Sequence, residues 1–298
     1  MAKQRLQLSE QTLRGLYFLH KYRFLTIAQF SRVTGYSQYH AGELLRGLTL
    51  HKAVNFIGFE PTGGHGKTPK VYYPELKAWH YLMLESRYDP GELGEFVPMS
   101  PDLTWTPEMF HRLKIIDCFL ALELAVTRYE QLEIVKTLLS YRRVPKTLSR
   151  ETTDTIDGIR IVPDGVCILR NHETGNSGLF FLEVDMGTER LTAPKSRDQR
   201  STIKGKFELY DQYLQSGRFA ATYQEYADFR SFLLLFVTTS WERIENIRLT
   251  SRSLNQRFHS YYRLATFTET NEDFLGKIWA SRSPSDTMRY ALIQQPRS

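Results

Sequence analysis

The chain has 298 residues, of which 41% are hydrophobic and 24% charged, a composition that is typical of globular proteins and excludes a disordered or low-complexity chain. The longest apolar run, residues 232–237, is too short to cross a bilayer, and two cysteines cannot form a disulfide framework. The first eleven residues lack the apolar stretch of a secretion signal, so we expect a cytoplasmic protein.

The net charge of +6 lies entirely in the first third of the chain. Residues 1–90 contain 12 Lys and Arg against 6 Asp and Glu, an excess of 6, whereas residues 91–298 contain 27 of each. Localised positive charge favours a phosphate-rich partner such as nucleic acid, although a basic surface exposed to water would give the same count.

Residues 1–90 have the pattern of three short helices, a β-hairpin and a fourth helix. Ser9, Thr26 and Ser37 each precede apolar residues at helical spacing, so each is predicted to cap a helix. Two strand-like runs, 53–59 and 70–73, flank a glycine-rich link, and a helix is predicted over 76–86.

This order predicts a winged helix-turn-helix, whose third helix enters the major groove of double-stranded DNA while the hairpin follows the backbone. Winged helices also serve as protein-interaction modules, and that alternative stays open. The side chains expected to contact DNA are polar or basic and lie on the third helix or the hairpin: Gln38, Tyr39, His40, Arg46, His65, Lys67 and Lys70.

Residues 89–107 contain four prolines and two glycines, so we place a linker at 91–106, between a domain of residues 1–90 and one of residues 107–298. The second domain is predicted to be a mixed α/β (α+β) fold. Helices are expected at 107–128, 203–215 and 242–250, and strands at 133–140, 159–169, 178–185, 231–238 and 262–268.

Three acidic residues lie on two consecutive predicted strands of this second domain. Asp164 belongs to the strand 159–169, and Glu183 and Asp185 share one face of the strand 178–185, because side chains on a strand alternate. Carboxylates gathered at a sheet edge repel one another unless a divalent cation lies between them, so the three are candidate ligands of Mg²⁺ or Mn²⁺. Alternatively, Asp164 starts a turn and the other two are solvated at a strand end.

A basic stretch runs from this region into the following helix. It includes Arg197, Arg200 and Lys204, which are candidate DNA contacts, and Lys206. Lys206 and Tyr210 are four residues apart, so they share a helix face that is expected to look back at the carboxylates.

The Pro163-Asp-Gly run, the segment 180–189 (FFLEVDMGTE) and the Lys206-xxx-Tyr210 pair together resemble the replication-relaxation family of plasmid and mobile-element proteins. The resemblance implies an N-terminal winged helix and a C-terminal domain similar to the PD-(D/E)xK restriction-endonuclease fold. It also implies similarity to the MOBC-type conjugative relaxases.

Under this resemblance, Asp164 and Glu183 are metal ligands. The nuclease pattern has lysine two residues after the glutamate, where this chain has Asp185, and Lys206 is the positional substitute. His111 matches a histidine of the family's first helix and could be a ligand, a base or a core residue. Asp117 and Glu123 are candidates for the acidic residue of that helix.

The sequence thus favours a metal-dependent, origin-specific nickase of plasmid replication or mobilisation, with origin DNA as its partner and a homodimer or larger nucleoprotein complex as its assembly. Asp185 in place of lysine favours the alternative, a catalytically inactive DNA-binding regulator of transcription, replication or copy number. A scaffold whose winged helix binds protein is a third hypothesis.

Overall fold

The computed structural model describes residues 8–58, 69–85, 87–99, 106–144, 147–193 and 202–293. The chain divides into two compact units, residues 1–120 and 121–298. The division falls inside a long helix rather than in the proline-rich segment 91–106. The first half of that helix packs within the first unit, where Gln29 donates to the carbonyl of Leu113 and the Tyr22 and Phe119 rings lie 6.3 Å apart.

The first unit consists of short helices around a small antiparallel sheet. Its elements in chain order are α1 (Glu10–Tyr22), β1 (Leu25–Thr26), α2 (Ile27–Thr34), α3 (Gln38–Leu50), β2 (Val54–Ile57), β3 (Val71–Pro74), α4 (Leu76–Met83) and α5 (Pro90–Leu93). The sheet has the order β1-β3-β2.

Side-chain caps fix where the first three helices begin. Ser9, Thr26 and Ser37 accept hydrogen bonds from the backbone N–H three residues on, as their sequence context predicts. Gly35 ends α2 with a φ of 75°, a conformation that other residues rarely adopt, so the chain turns sharply into α3. The three helices bury Leu16, Phe30, Leu45 and their neighbours.

The second unit is a seven-stranded mixed sheet with helices packed on it. The long helix α6 (Pro107–Val126) leads into β4 (Leu132–Leu139), β5 (Asp154–Ile156), β6 (Ile159–Ile161), β7 (Gly165–Asn171), β8 (Ser177–Val184), α7 (Ile203–Ser216), α8 (Arg218–Thr222), β9 (Leu233–Thr238), α9 (Trp241–Thr250), β10 (Tyr262–Thr266), α10 (Phe267–Asp273), β11 (Trp279–Ala280) and β12 (Arg289–Tyr290).

The strand order is β12-β11-β10-β9-β8-β7-β4. The pairings β4–β7 and β7–β8 are antiparallel, whereas β8–β9 and β9–β10 are parallel. An aromatic core, including Phe181, Phe207, Phe232 and Phe236, fills the space between the sheet and the helices. Among the helices of the described residues, none combines the length and the apolar composition that crossing a membrane requires.

The single strand predicted over 159–169 is wrong, because the chain forms two strands there that belong to different sheets. β6 pairs with β5 in a separate two-stranded sheet, and β7 starts the central pairing at Gly165. Pro163 has no N–H to donate to a ladder, so it separates the two strands. The β5–β6 turn, Asp157-Gly158, has positive φ at both residues, the pattern of a tight hairpin turn.

Candidate active site at the carboxyl end of β8

Asp164 and Glu183 lie at the same edge of the central sheet. β7 begins just after Asp164 and runs antiparallel to β8, with Gly165 opposite Leu182, so the start of β7 meets the end of β8. The backbone N–H of Val184 donates to Asp164 Oδ2 over 2.9 Å, which fixes the aspartate beside the glutamate's strand. Asp164 is half-buried.

Glu183 is 5% exposed and binds two side chains of α7. The Tyr210 hydroxyl donates to Oε1 over 2.6 Å, and Lys206 Nζ donates to Oε2 over 3.2 Å. Burial raises the pKa of Glu183 to about 7, and the negative charge of Asp164 acts in the same direction, while Lys206 opposes it. Burial and the neighbouring Glu183 also raise the pKa of Tyr210, so its hydroxyl keeps its proton.

Lys206 projects from the first turns of α7, which begins at the Thr202 cap. Its ammonium also donates to Glu189 Oε1 over 2.7 Å. Burial alone would lower the pKa of Lys206, but the charges of Glu183 and Glu189 outweigh burial and raise it. Lys206 is therefore a fixed cation at neutral pH, on the helix face that the i, i+4 spacing with Tyr210 predicts.

Asp185 follows β8 and is 1% exposed, but its partners differ from those of Glu183. Its carboxylate accepts from Thr238 Oγ1 at 2.7 Å, Arg243 Nε at 2.9 Å and the Gly187 N–H at 3.0 Å. Ser240 caps α9 and thereby places Arg243 in its first turn. The expected gathering of three carboxylates is not found: within the described ranges, no group of three or more His, Cys, Asp and Glu residues is arranged to hold a metal ion.

The acidic and histidine candidates of α6 are divided between the two units. Asp117 accepts from Gln29 Nε2 at 2.8 Å and from Lys114 Nζ at 3.1 Å, so its carboxylate is used within the first unit. His111 is half-buried and also belongs to the first unit, whereas Glu123, likewise half-buried, belongs to the second.

The candidate DNA contacts of α3 lie on its exposed face. Gln38, Tyr39, His40 and Arg46 are all exposed, and the Tyr39 side chain is 80% exposed. The described part of the hairpin adds Lys70, whose Nζ lies 4.3 Å from the centre of the Phe56 ring.

A groove of about 550 Å³ runs between α3 and the strands β2 and β3. Gln38, Tyr39, Arg46 and Lys70 line it together with Glu43, which forms a 2.6 Å ion pair with Arg46. Four further candidates, His65, Lys67, Arg197 and Arg200, lie outside the described residues. Lys204 is on α7, 3.9 Å from Glu208.

Three further residues, Glu189, Thr238 and Arg243, contact Lys206 or Asp185 and were not among the residues expected from the sequence. Glu189 stands inside the segment 180–189, so its proximity to the site could have been inferred from that motif. Arg243 is 58 residues from Asp185 in the chain, and a lone arginine in a helix carries no local signal of its partner.

Comparison with known protein families gives a match over most of the chain. The model of the replication-relaxation family covers residues 16–227, which is more than half of the chain and includes both the groove and the acidic site. No curated protein and no solved structure matches the chain.

Proposed function

Because the chain belongs to the replication-relaxation family, we propose that it nicks one strand of DNA at an origin during plasmid replication or mobilisation, using Mg²⁺ or Mn²⁺ held by Asp164 and Glu183. The family itself indicates a role in replication or mobilisation. The proposal of metal-dependent nicking is carried by one observation: Lys206 supplies an ammonium 3.2 Å from Glu183, where the nuclease pattern needs a cation.

The order of elements supports a nuclease-like domain. A helix, α6, precedes three antiparallel strands of the central sheet, β4, β7 and β8, and the helix α7 then leads to the parallel strand β9. The first unit has three helices followed by a β-hairpin, and this supports a winged helix-turn-helix.

The donor set fits a magnesium-like ion. Asp164 and Glu183 offer hard carboxylate oxygens, and Mg²⁺ is commonly held by one or two carboxylates together with water and phosphate oxygens. Burial beside a second carboxylate raises the pKa of Glu183, and a divalent cation would oppose that rise. When bound, the ion supplies charge stabilisation to the phosphodiester and lowers the pKa of a water molecule.

The side chains around Asp164 and Glu183 have separate roles in this proposal. Lys206 presents a permanent positive charge to the scissile phosphate as negative charge develops on it. Tyr210 orients Glu183 by donating to Oε1. The groove of the first unit holds duplex DNA, with Arg46 and Lys70 on phosphates and the polar residues at the start of α3 on base edges.

The test is nicking of supercoiled plasmid that carries the cognate origin, in Mg²⁺ or Mn²⁺. The wild-type chain should accumulate nicked circles, and Asp164→Ala, Glu183→Gln and Lys206→Met should each lose this activity while keeping DNA affinity. Glu208→Gln is the matched control, because Glu208 is an exposed acid on α7 that is not bound to the site. Equal nicking by the wild-type chain and all three site variants would refute the proposal.

A DNA-binding regulator without catalysis is the second candidate, favoured by the position of Asp185. The lysine of the nuclease pattern is replaced there by an aspartate that binds Arg243 and Thr238. These contacts stabilise the fold and supply no catalytic cation at this position. Salt-sensitive binding of the origin without nicking in either metal would support this candidate.

A further inference from the structure

The loop of residues 185–189, which follows β8, is held by hydrogen bonds to Asp185. The carboxylate accepts from the Gly187 N–H, the Thr238 hydroxyl and the guanidinium of Arg243. Gly187 has a φ of 79°, which bends the loop back toward these donors. The buried carboxylate thus joins the loop to the end of β9 and the first turn of α9.

Arg243 extends this attachment to Glu189. Besides its bonds to Asp185, the guanidinium donates to the backbone carbonyl of Glu189. One arginine side chain therefore contacts the loop at both Asp185 and Glu189, and a planar guanidinium can do so because its donors form a rigid fork.

The side chain of Glu189 then reaches Lys206. Its Oε1 accepts from Nζ at 2.7 Å, a shorter contact than the 3.2 Å between Nζ and Glu183 Oε2. The second oxygen, Oε2, is buried without a hydrogen-bond partner in the part of the chain that the structure describes. The Lys206 ammonium is therefore held between two carboxylates, one from β8 and one from the loop.

We propose that Asp185 and Arg243 are positioning residues that hold Glu189, and through it the Lys206 ammonium, beside Glu183. Where the nuclease pattern has its lysine, this chain has an acid that orders the loop, while the lysine itself comes from α7. The consequence for nicking rests on the proposed function; the positioning itself does not.

A simple stabilising pair would have different consequences. If Asp185 and Arg243 only joined β8 to α9, removing either would lower stability and leave the Lys206 ammonium in place. If they position Glu189, removing either frees the ammonium even in a folded chain.

The Lys206 ammonium can be observed directly by ¹⁵N–¹H NMR of lysine-labelled protein, without metal or DNA. Ammonium protons in free contact with water exchange too fast to be seen, whereas a held, partly buried group exchanges slowly. We expect a resolved ammonium resonance in the wild-type chain that is absent from Lys206→Met, which assigns it. Glu189→Gln, Arg243→Met and Asp185→Asn should each lose it.

Arg218→Met is the matched control, because Arg218 also pairs with a buried aspartate of the same unit, Asp154, at 3.0 Å. It should keep the resonance. Circular dichroism identifies variants that fail to fold; Asp185→Asn retains the shape of the side chain and decides the matter if Arg243→Met does not fold.

The proposal is overturned if the wild-type chain shows no such resonance, or if a folded Asp185→Asn or Arg243→Met keeps it. Should the plasmid test detect nicking, Asp185→Asn should lower kcat by roughly one to two orders of magnitude at unchanged DNA affinity. Absence of nicking in the wild-type chain would refute the proposed function alone, because the resonance is recorded without it.

Discussion

Lys206 of α7 lies 3.2 Å from Glu183 of β8, so a cation and a buried carboxylate that are 23 residues apart share one hydrogen-bonded cluster. The cluster combines a fixed positive charge with a carboxyl group whose pKa burial raises to about 7. This combination has consequences for stability that can be measured without any substrate.

The first prediction concerns the pH dependence of stability. The folded state holds the Glu183 proton up to about pH 7, whereas the unfolded state releases it near the ordinary pKa of 4.5. The free energy of unfolding should therefore fall as pH rises between these values, by up to about 3 kcal/mol through this group. Glu183→Gln should lack this contribution.

Urea unfolding of both proteins at several pH values from about 4.5 to about 7.5 provides the measurement. Lys206→Met is informative as a third protein, because loss of the cation should raise the folded-state pKa of Glu183 and extend the window of declining stability to higher pH. Parallel curves for the wild-type chain and Glu183→Gln would contradict the raised pKa of Glu183.

The second prediction concerns Asp154 of β5, which accepts from Thr222, Tyr213 and Arg218. Burial alone would raise the pKa of Asp154, but these hydrogen bonds outweigh burial and lower it. Its contribution is therefore present at neutral pH and is lost as pH falls below the usual 3.8. We expect Asp154→Asn to lower the free energy of unfolding at pH 7 by about 2–3 kcal/mol. In Asp157→Asn, the exposed control in the adjacent turn, a change within about 0.5 kcal/mol is expected.

The third prediction contrasts two helical glycines of the first unit. A Cβ at Gly15 would overlap the Phe30 ring, whereas one at Gly47 would meet nothing within 4 Å. Gly15→Ala should therefore destabilise the chain by about 1–3 kcal/mol, since the α1–α2 contact has no room for a methyl group. Gly47→Ala should stabilise it by about 1 kcal/mol through helix propensity. Thermal unfolding compares the two, and equal signs would disprove the close α1–α2 packing.

The fourth prediction concerns Arg282, which is fully buried and lies beyond the residues that match the family model. Its guanidinium pairs with both oxygens of Asp211 on α7, at 2.9 and 3.1 Å. Arg282→Met leaves that carboxylate buried without its cation, so we expect a loss of about 3–5 kcal/mol. Arg252→Met, at an exposed position, should change stability by less than about 0.5 kcal/mol.

In the double variant Asp211→Asn/Arg282→Met the losses should be less than additive, because the two residues interact directly. Additive losses in urea unfolding would show that the pair does not act as a unit. Since α7 also carries Lys206 and Tyr210, this pair helps to hold the helix that supplies two side chains of the candidate site.

The fifth prediction tests the groove of the first unit. Tyr39→Ala and Arg46→Ala should each weaken origin binding by about 1–3 kcal/mol without changing stability, because both side chains are exposed. For Arg46→Ala, the slope of log affinity against log salt should also flatten by about one unit, if the arginine contacts a phosphate. Arg87→Ala removes the same charge from an exposed residue outside the groove lining and should leave affinity unchanged. Identical salt slopes for all four proteins would argue against groove binding.

Local signals in the sequence predict most of the elements. Ser9, Thr26 and Ser37 mark helix starts because capping is a contact between residues three apart, and the apolar runs that become β8 and β9 stand out for the same local reason. The β5–β6 hairpin was missed even though Asp157-Gly158 is a strong turn signal, because its strands have only three residues each and merge with the next apolar run.

The candidate site was predicted in part. The spacing of Lys206 and Tyr210 places them on one helix face, and the motif directs that face toward Glu183. The partner of Asp185 could not be predicted, because strand alternation places Asp185 on a face but does not reveal which distant helix supplies a guanidinium. The sequence left open whether Asp185 is solvated at a strand end, and its 1% exposure excludes that alternative. A carboxylate that is so deeply buried needs a cation, and α9 supplies Arg243.

The change from antiparallel to parallel pairing at β8 has a consequence for the order in which the chain assembles. The β7–β8 hairpin closes across a five-residue connection, 172–176, whereas β9 reaches β8 only after a crossover of 48 residues, 185–232, that contains α7. Closing the longer loop costs more chain entropy, so local contacts form earlier. We therefore expect the β7–β8 hairpin to form before β9 pairs with β8, and the 23-residue closure that brings Lys206 to Glu183 to follow the hairpin. Substitutions at Lys206 should consequently accelerate unfolding and leave the folding rate almost unchanged.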